Sequence, residues 1–364
     1  MFAPLEGIRV VDLTSSLAGP YCTELLAALG ADVVKVEHPQ RGDESRAWGP
    51  RFFEGGSVMF FAANASKRSL ALDVKAPAGK EALLRLVRRA DVFVQSLRPG
   101  TAERLGLGAV ALREESPRLV YCTIGAFGRT GPLRDRAGYD PLMQAAGGIV
   151  SVTGEADRPG VRVGVSLVDQ GTGLWAAFGV LAALHERGST GTGRTVDVSL
   201  YETTVALAPY QLTATLAGAP PPGRHGTAFP LIAPYEVFAT SDGELMIAAA
   251  NDRLYAALCD ALDLPGLAAD PRFATNPERV ARREELAELL RPRLREESSA
   301  TWLERLGRAG VPAAPVQDLA QVAAAEQTRA LGLVQALAGV RTIAPPLSLD
   351  GERVLHRSPP PLLG

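Results

Sequence analysis

The sequence predicts an α/β protein whose large domain is an open, mostly parallel sheet, with a smaller α+β domain after it. Two observations carry this. Short β-branched runs alternate with amphipathic stretches over the first half of the chain, and a proline- and glycine-rich break, "LAGAPPPGRHG", precedes a region that reads as antiparallel strands followed by helices.

The elements follow in order. "GIRVVDL" reads as a buried strand, "AGPYCTELLAALG" as a helix closed by a glycine cap, and "ADVVKVE" as a second strand. Strand, helix and strand so spaced form a right-handed βαβ unit. The pattern repeats: "RSLALDV" as strand, "AGKEALLRLVRRA" as helix, "DVFVQS" as strand, "AERLGL" as short helix and "RLVYCTI" as strand. In such sheets ligands collect beyond the carboxyl ends of the strands, here the loops starting near Leu13, Glu37, Asp73, Ser96 and Gly125. "TSSLAGP" follows the first strand where a dinucleotide site would carry G-x-G-x-x-G, so the domain is expected to be Rossmann-like without binding NAD.

"VSLV", before Asp169, then reads as a strand-like run, followed by a buried helix over 174–187 and a further strand in "GSTGTGRTVDVSL". "APYEVFATSDGELMIAAAN" reads as two antiparallel strands turning at Asp242-Gly243. "DRLYAALCDAL", "RVARREELAELLRPRL" and "SATWLERLGRAG" read as helices, and the tail as one helix and a proline-rich end. The expected organisation is a large domain over 1–190, a linker over 191–224, a small α+β domain over 225–317 and a terminal segment over 318–364.

A chain of 364 residues with 46% hydrophobic and 21% charged residues can bury a large core. A net charge of -2 argues against nucleic acid as the main partner. Cys22, Cys122 and Cys259 are odd in number and far apart, so they read as buried thiols; His38, His185, His225 and His356 have no ligand spacing, and no metal is expected. The start lacks the pattern of a signal peptide, and no run approaches ~18 uninterrupted apolar residues, so a cytoplasmic protein without a membrane partner is expected.

One residue stands out chemically. Asp169 sits between the strand-like run and the helix, the position of an N-cap, where the helix dipole also favours a carboxylate by ~0.3–1 kcal/mol. Cap and nucleophile are compatible roles.

The surrounding stretch, "VRVGVSLVDQGTGLWAAFGVLAALHERGSTGTGRTVDVSLYE", resembles the signature of the family III CoA-transferases, the group that also holds the α-methylacyl-CoA racemases. The resemblance runs along nearly the whole chain, through "GIRVVDLTSSLAGPYCTELLAALGADVVKVEHPQRGDESR", "NASKRSLALDVK", "LRPGTAERLGL", "AGYDPLMQAAGG", "DPRFATNPERVARREEL" and "GVPAAPV".

The resemblance implies that Asp169 is a nucleophile passing CoA from an acyl-CoA to a carboxylic acid, with CoA as substrate and product and no permanently bound cofactor. A carboxylate near its reference pKa of ~3.9 is ionised at neutral pH without a base. The implied CoA-binding set is Leu17, Ala18, His38, Leu72, Asp73, Val74, Lys75, Ser96, Leu97, Arg98, Arg104, Arg136, Ala137, Gly138 and Tyr139. Among its cations Lys75, Arg98 and Arg104 are the expected phosphate partners, Arg104 first. His38 replaces a common arginine, and "QSLRPG" departs from the usual asparagine-phenylalanine version.

Related racemases use a histidine in the motif matching "AGYD" and a glutamate in that matching "AAAND". Here Tyr139 and Asn251 stand there, and neither is a base near neutral pH, which favours transfer over racemisation. A non-catalytic acyl-CoA-binding protein is the further alternative, and Asp169 speaks against it. The resemblance also implies an interlocked homodimer. Gly138, Gly147 and Gly148 are candidates for shaping an acyl pocket, and a small dicarboxylate or branched short-chain acid is the expected substrate class.

Overall fold

The computed structural model describes residues 3–49 and 52–364. Six strands form the main sheet: β1 (Arg9–Leu13), β2 (Asp32–Glu37), β3 (Lys67–Ala71), β4 (Val92–Gln95), β5 (Val120–Gly125) and β6 (Thr195–Ser199). Their order is β3-β2-β1-β4-β5-β6, and all five pairings are parallel. This is the doubly wound Rossmann order, with its reversal point between β1 and β4. The apolar runs become strands because both faces are covered: Val10, Val33, Val92, Val94, Val120 and Cys122 are fully or nearly fully buried.

Two helices cover one face and position the site. Helix α1 (Ala18–Ala28) packs along α5 (Leu167–Thr190), whose other contacts include β5 and β6. Gly173 permits the approach, since a Cβ there would lie 2.6 Å from the Ala18 carbonyl oxygen. Helices α2 (Pro77–Val87) and α3 (Thr101–Arg104) connect the strands between β3 and β5. A short helix α4 (Asp140–Ala146) precedes α5. By length and composition α5 alone among the described helices is apolar enough to cross a membrane, and in the fold it packs as a core helix, with Val168, Ala176 and Val180 wholly buried.

The chain divides into two compact units. One takes in the chain up to Ile149, Arg162–Pro221 and Ala325–Gly364; the other takes in Val150–Val161 and Pro222–Ala324. The first differs from the expected 1–190 domain in two ways. Residues 191–224, expected as a linker, contain β6 and two helices, Leu200–Ala206 and Pro209–Leu216. The excursion 150–161 leaves for the second unit, where the Gly226 amide donates to the Gly154 carbonyl at 2.9 Å and Arg224 donates to the carbonyls of Glu155 and Ala156.

The second unit has a three-stranded antiparallel sheet of Tyr235–Ala239, Glu244–Ala248 and Ala313–Pro315, the middle strand being Glu244–Ala248. Its first two strands turn through Asp242-Gly243, as their sequence predicts. Phe238, Ile247, Leu258, Leu290 and Trp302 form the core beneath the helices. The expected helix over 279–294 is two helices, Asn276–Ala281 and Arg283–Leu294, because Arg282 leaves helical geometry at φ -121° and a Thr275–Glu278 capping box starts the first.

Two further expectations fail. "VSLV" is not a strand: Val165 is exposed, and Leu167 and Val168 already belong to the first turn of α5. The tail holds more than the expected single helix before its proline-rich end. It contains Leu319–Ala324 and Glu326–Ala330, broken at the extended Ala325, and then two small hairpins, Val334–Leu337 with Val340–Ile343 and Ser348–Leu349 with Glu352–Arg353. Its last residues lie on the first unit, the Arg357 amide donating to Ser66 Oγ at 2.7 Å and the Gly364 amide to Ser69 Oγ at 3.4 Å.

Candidate active site

A cleft of about 710 Å³ opens at the carboxyl ends of the strands of the first unit, where the order reverses. The loop after β1 supplies Ser15, Ser16, Ala18 and Gly19; the loop after β4 supplies Ser96, Leu97 and Arg98. Ile124, Gly125 and Ala126 at the end of β5, then Arg136, Ala137, Gly138 and Tyr139, form another part of the wall, and Asp169 also faces the cleft.

Asp169 is not the N-cap of its helix. Ser166 occupies that position without a side-chain capping bond, and Asp169 is the third residue of the first turn. Capping comes from elsewhere. Asp140, 2% exposed at the start of α4, accepts from the backbone amides of Val168 (2.8 Å) and Asp169 (3.1 Å) through Oδ2, and from Gln144 Nε2 (2.6 Å) through Oδ1. Gln144 in turn accepts from the Val163 amide at 2.8 Å, which ties the approach to α5 to α4.

The Asp169 carboxyl itself has no hydrogen-bond donor among the described residues. Burial, and then the charge of Asp140, push its pKa up to about 7. The expectation of a carboxylate ionised unaided is therefore corrected: near pH 7 the acid and the carboxylate coexist.

Opposite chemistry is offered by the start of α1. Its cap residue, Leu17, provides no side-chain bond, Pro20 carries no N–H, and the amides of Ala18 and Gly19 have no partner among the described residues. Two unpaired amides at a helix N-terminus favour negative charge.

Of the expected CoA contacts, Ala18, Ser96, Leu97, Arg98, Arg136, Ala137, Gly138 and Tyr139 line the same cleft as Asp169. The rest lie outside its lining. Leu17, the cap residue of α1, is buried; Leu72 and Val74 pack against the core between β3 and α2. His38 Nδ1 accepts from the Gln40 amide at 3.2 Å, and exposed Asp73 accepts from the amide of the equally exposed Lys75 at 3.0 Å. Arg104, expected first among the phosphate partners, points its guanidinium at Thr101 Oγ1, 2.8 Å away on its own helix.

Arg98 and Arg136 have no ion-pair partner among the described residues, whereas Arg129 in the same wall is paired with Asp197 at 2.9 Å. Gly138 fits where a Cβ would lie 2.4 Å from Met143 Cε. Among these residues Asp140 was missed from sequence. The visible signal was a buried-type motif, Asp-Pro opening a helix, and nothing local ties it to a segment 28 residues on.

Asn251, expected from the resemblance to stand where racemases carry a glutamate, caps its own helix by accepting from the Leu254 amide at 2.9 Å.

The family model described as CoA-transferase family III matches residues 5–364. The chain is 38% identical to succinyl-CoA:glutarate CoA-transferase of Mus musculus over 99% of its own length and 84% of that protein. It is 37% identical to acetyl-CoA:oxalate CoA-transferase of Acetobacter aceti, covering 98% of this chain and 92% of that one. A CAIB/BAIF family protein from Brucella suis has a crystal structure that superposes with a TM-score of 0.90 at 38% identity, covering 100% of this chain and 97% of that one. With the parallel sheet, the cleft at its reversal point and these matches along its whole length, the chain belongs to family III of the CoA-transferases and is an enzyme of that type.

Proposed function

We propose that this enzyme moves CoA between short dicarboxylic acids, with Asp169 as the covalent carrier. The observation that carries the reading is a half-buried carboxyl, free of donors, in one cleft with an uncapped helix start and two unpaired arginines.

In the first step an Asp169 oxygen attacks the thioester carbonyl of the donor. The C–S bond breaks, CoA leaves as thiolate, and an aspartyl-acyl anhydride remains. The thiolate then attacks the Asp169 carbonyl carbon, the anhydride C–O bond breaks, and the first acid departs as carboxylate. The acceptor carboxylate attacks the resulting aspartyl-CoA thioester, expelling thiolate and giving a second anhydride. Attack of thiolate on the acceptor's carbonyl releases the new acyl-CoA and frees Asp169. No net proton is consumed.

The raised pKa of Asp169 serves this sequence. A carboxylate of ordinary basicity is a far poorer base than the thiolate it must expel, whose conjugate thiol has a pKa of ~8.5. At about 7 the gap narrows and the first step is less uphill. Each tetrahedral intermediate needs donors aimed at its oxyanion, a role suited to the Ala18 and Gly19 amides. Arg98 and Arg136 are suited to the CoA phosphates. The dicarboxylate preference follows the named activities of the relatives, which act on succinyl-CoA with glutarate and acetyl-CoA with oxalate.

A homodimer completes the proposal. Leu174, Trp175 and Phe178 on α5 are each more than half exposed, an apolar stripe suited to a second copy.

The test mixes succinyl-CoA or acetyl-CoA with glutarate, oxalate and branched monoacids and follows new thioesters by chromatography. Exchange with at least one dicarboxylate, lost in Asp169→Asn, is the expected result; exchange by Asp169→Asn at the parent rate would overturn it.

A further inference from the structure

Beside the cleft lies a buried ionic network that the transfer chemistry above does not use. Lys35, at the middle of β2 and in register with Asp12 of β1, is wholly buried. Its ammonium donates to the Thr14 carbonyl at 2.9 Å and pairs with Asp43 Oδ2 at 2.8 Å. Asp43, 4% exposed, uses its other oxygen to accept from the amides of Ser45 (2.9 Å) and Ser16 (3.1 Å).

Ser16 is the place where this network meets the site. It lines the cleft in a left-handed conformation, φ 70°, that a non-glycine residue adopts only when its surroundings hold it there. Its amide is held by Asp43 and its hydroxyl donates to the Glu44 carboxylate. Two residues later the chain enters α1 with the unpaired Ala18 amide. A loop gripped at Thr14 from below and at Ser16 from the side has one shape available to it.

We propose that Lys35 and Asp43 are positioning residues: the buried pair fixes the turn at Ser16, and through it the amide-bearing start of α1, in the shape that receives the thioester carbonyl. The proposal rests on the transferase reading with Ala18 and Gly19 as oxyanion donors. A displacement of donors from a developing oxyanion lowers the rate of the chemical step while leaving nucleotide binding nearly intact. A pair with only a structural role lowers the amount of folded enzyme and leaves each folded molecule as active as before.

Lys35→Met, Asp43→Ala and Asp43→Asn are compared with the parent using succinyl-CoA and glutarate, with kcat expressed per folded molecule. Lys35→Met and Asp43→Ala are expected to lose ~10-fold or more in kcat, with KM for succinyl-CoA changed less than ~3-fold. Asp43→Asn keeps an oxygen for the Ser16 and Ser45 amides but turns an NH2 toward the Lys35 ammonium in place of Oδ2, so the pair is lost and a drop of ~3-fold or more in kcat is expected. Ser16→Gly, at the cleft wall where glycine adopts the same φ freely, covers the case in which the buried variants fail to fold; it is expected to lose ~3-fold or more in kcat because the turn is no longer confined. Parental kcat in whichever of these variants fold overturns the proposal. A parent protein that turns over none of the tested thioesters instead overturns the transferase reading on which it rests.

Discussion

The carboxylate of Asp140 caps the helix that carries Asp169, taking the amides of Val168 and Asp169 itself at 2.8 and 3.1 Å. One buried group thereby does two things: it locks the backbone of the proposed nucleophile and places a second carboxylate beside it.

Replacing Asp140 by Asn keeps an acceptor for the two amides and removes the charge. Since burial and then that charge raise the Asp169 pKa, the acid limb of the kcat/KM profile, near pH 7 in the parent, is expected to move to lower pH by ~1 unit in Asp140→Asn. A limb that stays in place would show that Asp140 acts on geometry alone.

The same shift makes Asp169 a cost to the fold. Its folded pKa lies above the ordinary value of 3.8, so the native state holds the proton more tightly and stability falls as pH rises from ~4 to ~7. Asp169→Asn does not titrate. Its Tm is expected to match the parent near pH 4 and to exceed it at pH 8, by ~2–5 °C for ~1–2 kcal/mol, as read by calorimetry. A parent equal or superior at pH 8 would contradict the raised pKa.

Arg98→Ala and Arg136→Ala are each expected to raise KM for a CoA thioester ~10-fold or more, with kcat changed less than ~3-fold and a weaker dependence on salt. Arg104→Ala, whose guanidinium lies on Thr101 outside the cleft lining, is expected to stay within ~2-fold of the parent. The reverse ranking in steady-state kinetics would restore the order read from the sequence.

How far that order was readable depends on range. Strands β1, β2, β4 and β5 were visible because their β-branched runs are largely buried, and Asp169 because its neighbours carry a long motif. What escaped was set at a distance. Asp140 acts on a helix start 28 residues away, the Arg104 guanidinium is captured by its own helix, and the cleft is assembled from loops after β1, β4 and β5. "VSLV" has the apolar character of a strand, but its last two residues are taken up by the first turn of α5. The tail hairpins were hidden by a helical composition broken at Ala325.

Close packing gives a further test on helix α5. Gly173→Ala brings a methyl to 2.6 Å from the Ala18 carbonyl oxygen, a backbone atom that can move only with α1. A loss of ~1–3 kcal/mol in denaturant unfolding and a drop in kcat are expected. Gly188→Ala on the same helix meets nothing within 4 Å and is expected to be neutral or to stabilise by ~1 kcal/mol. Equal effects at the two positions would contradict the close contact of α1 with α5.

The central claim is covalent capture by Asp169, and trapping tests it most directly. The enzyme is quenched within one turnover of succinyl-CoA, digested, and the peptide containing residue 169 weighed with and without hydroxylamine. A hydroxylamine-sensitive mass increase of CoA or of the acyl group on that peptide, absent in Asp169→Asn, is the expected result. Thioester exchange that proceeds while this peptide stays unmodified, or with the adduct on another residue, would contradict it.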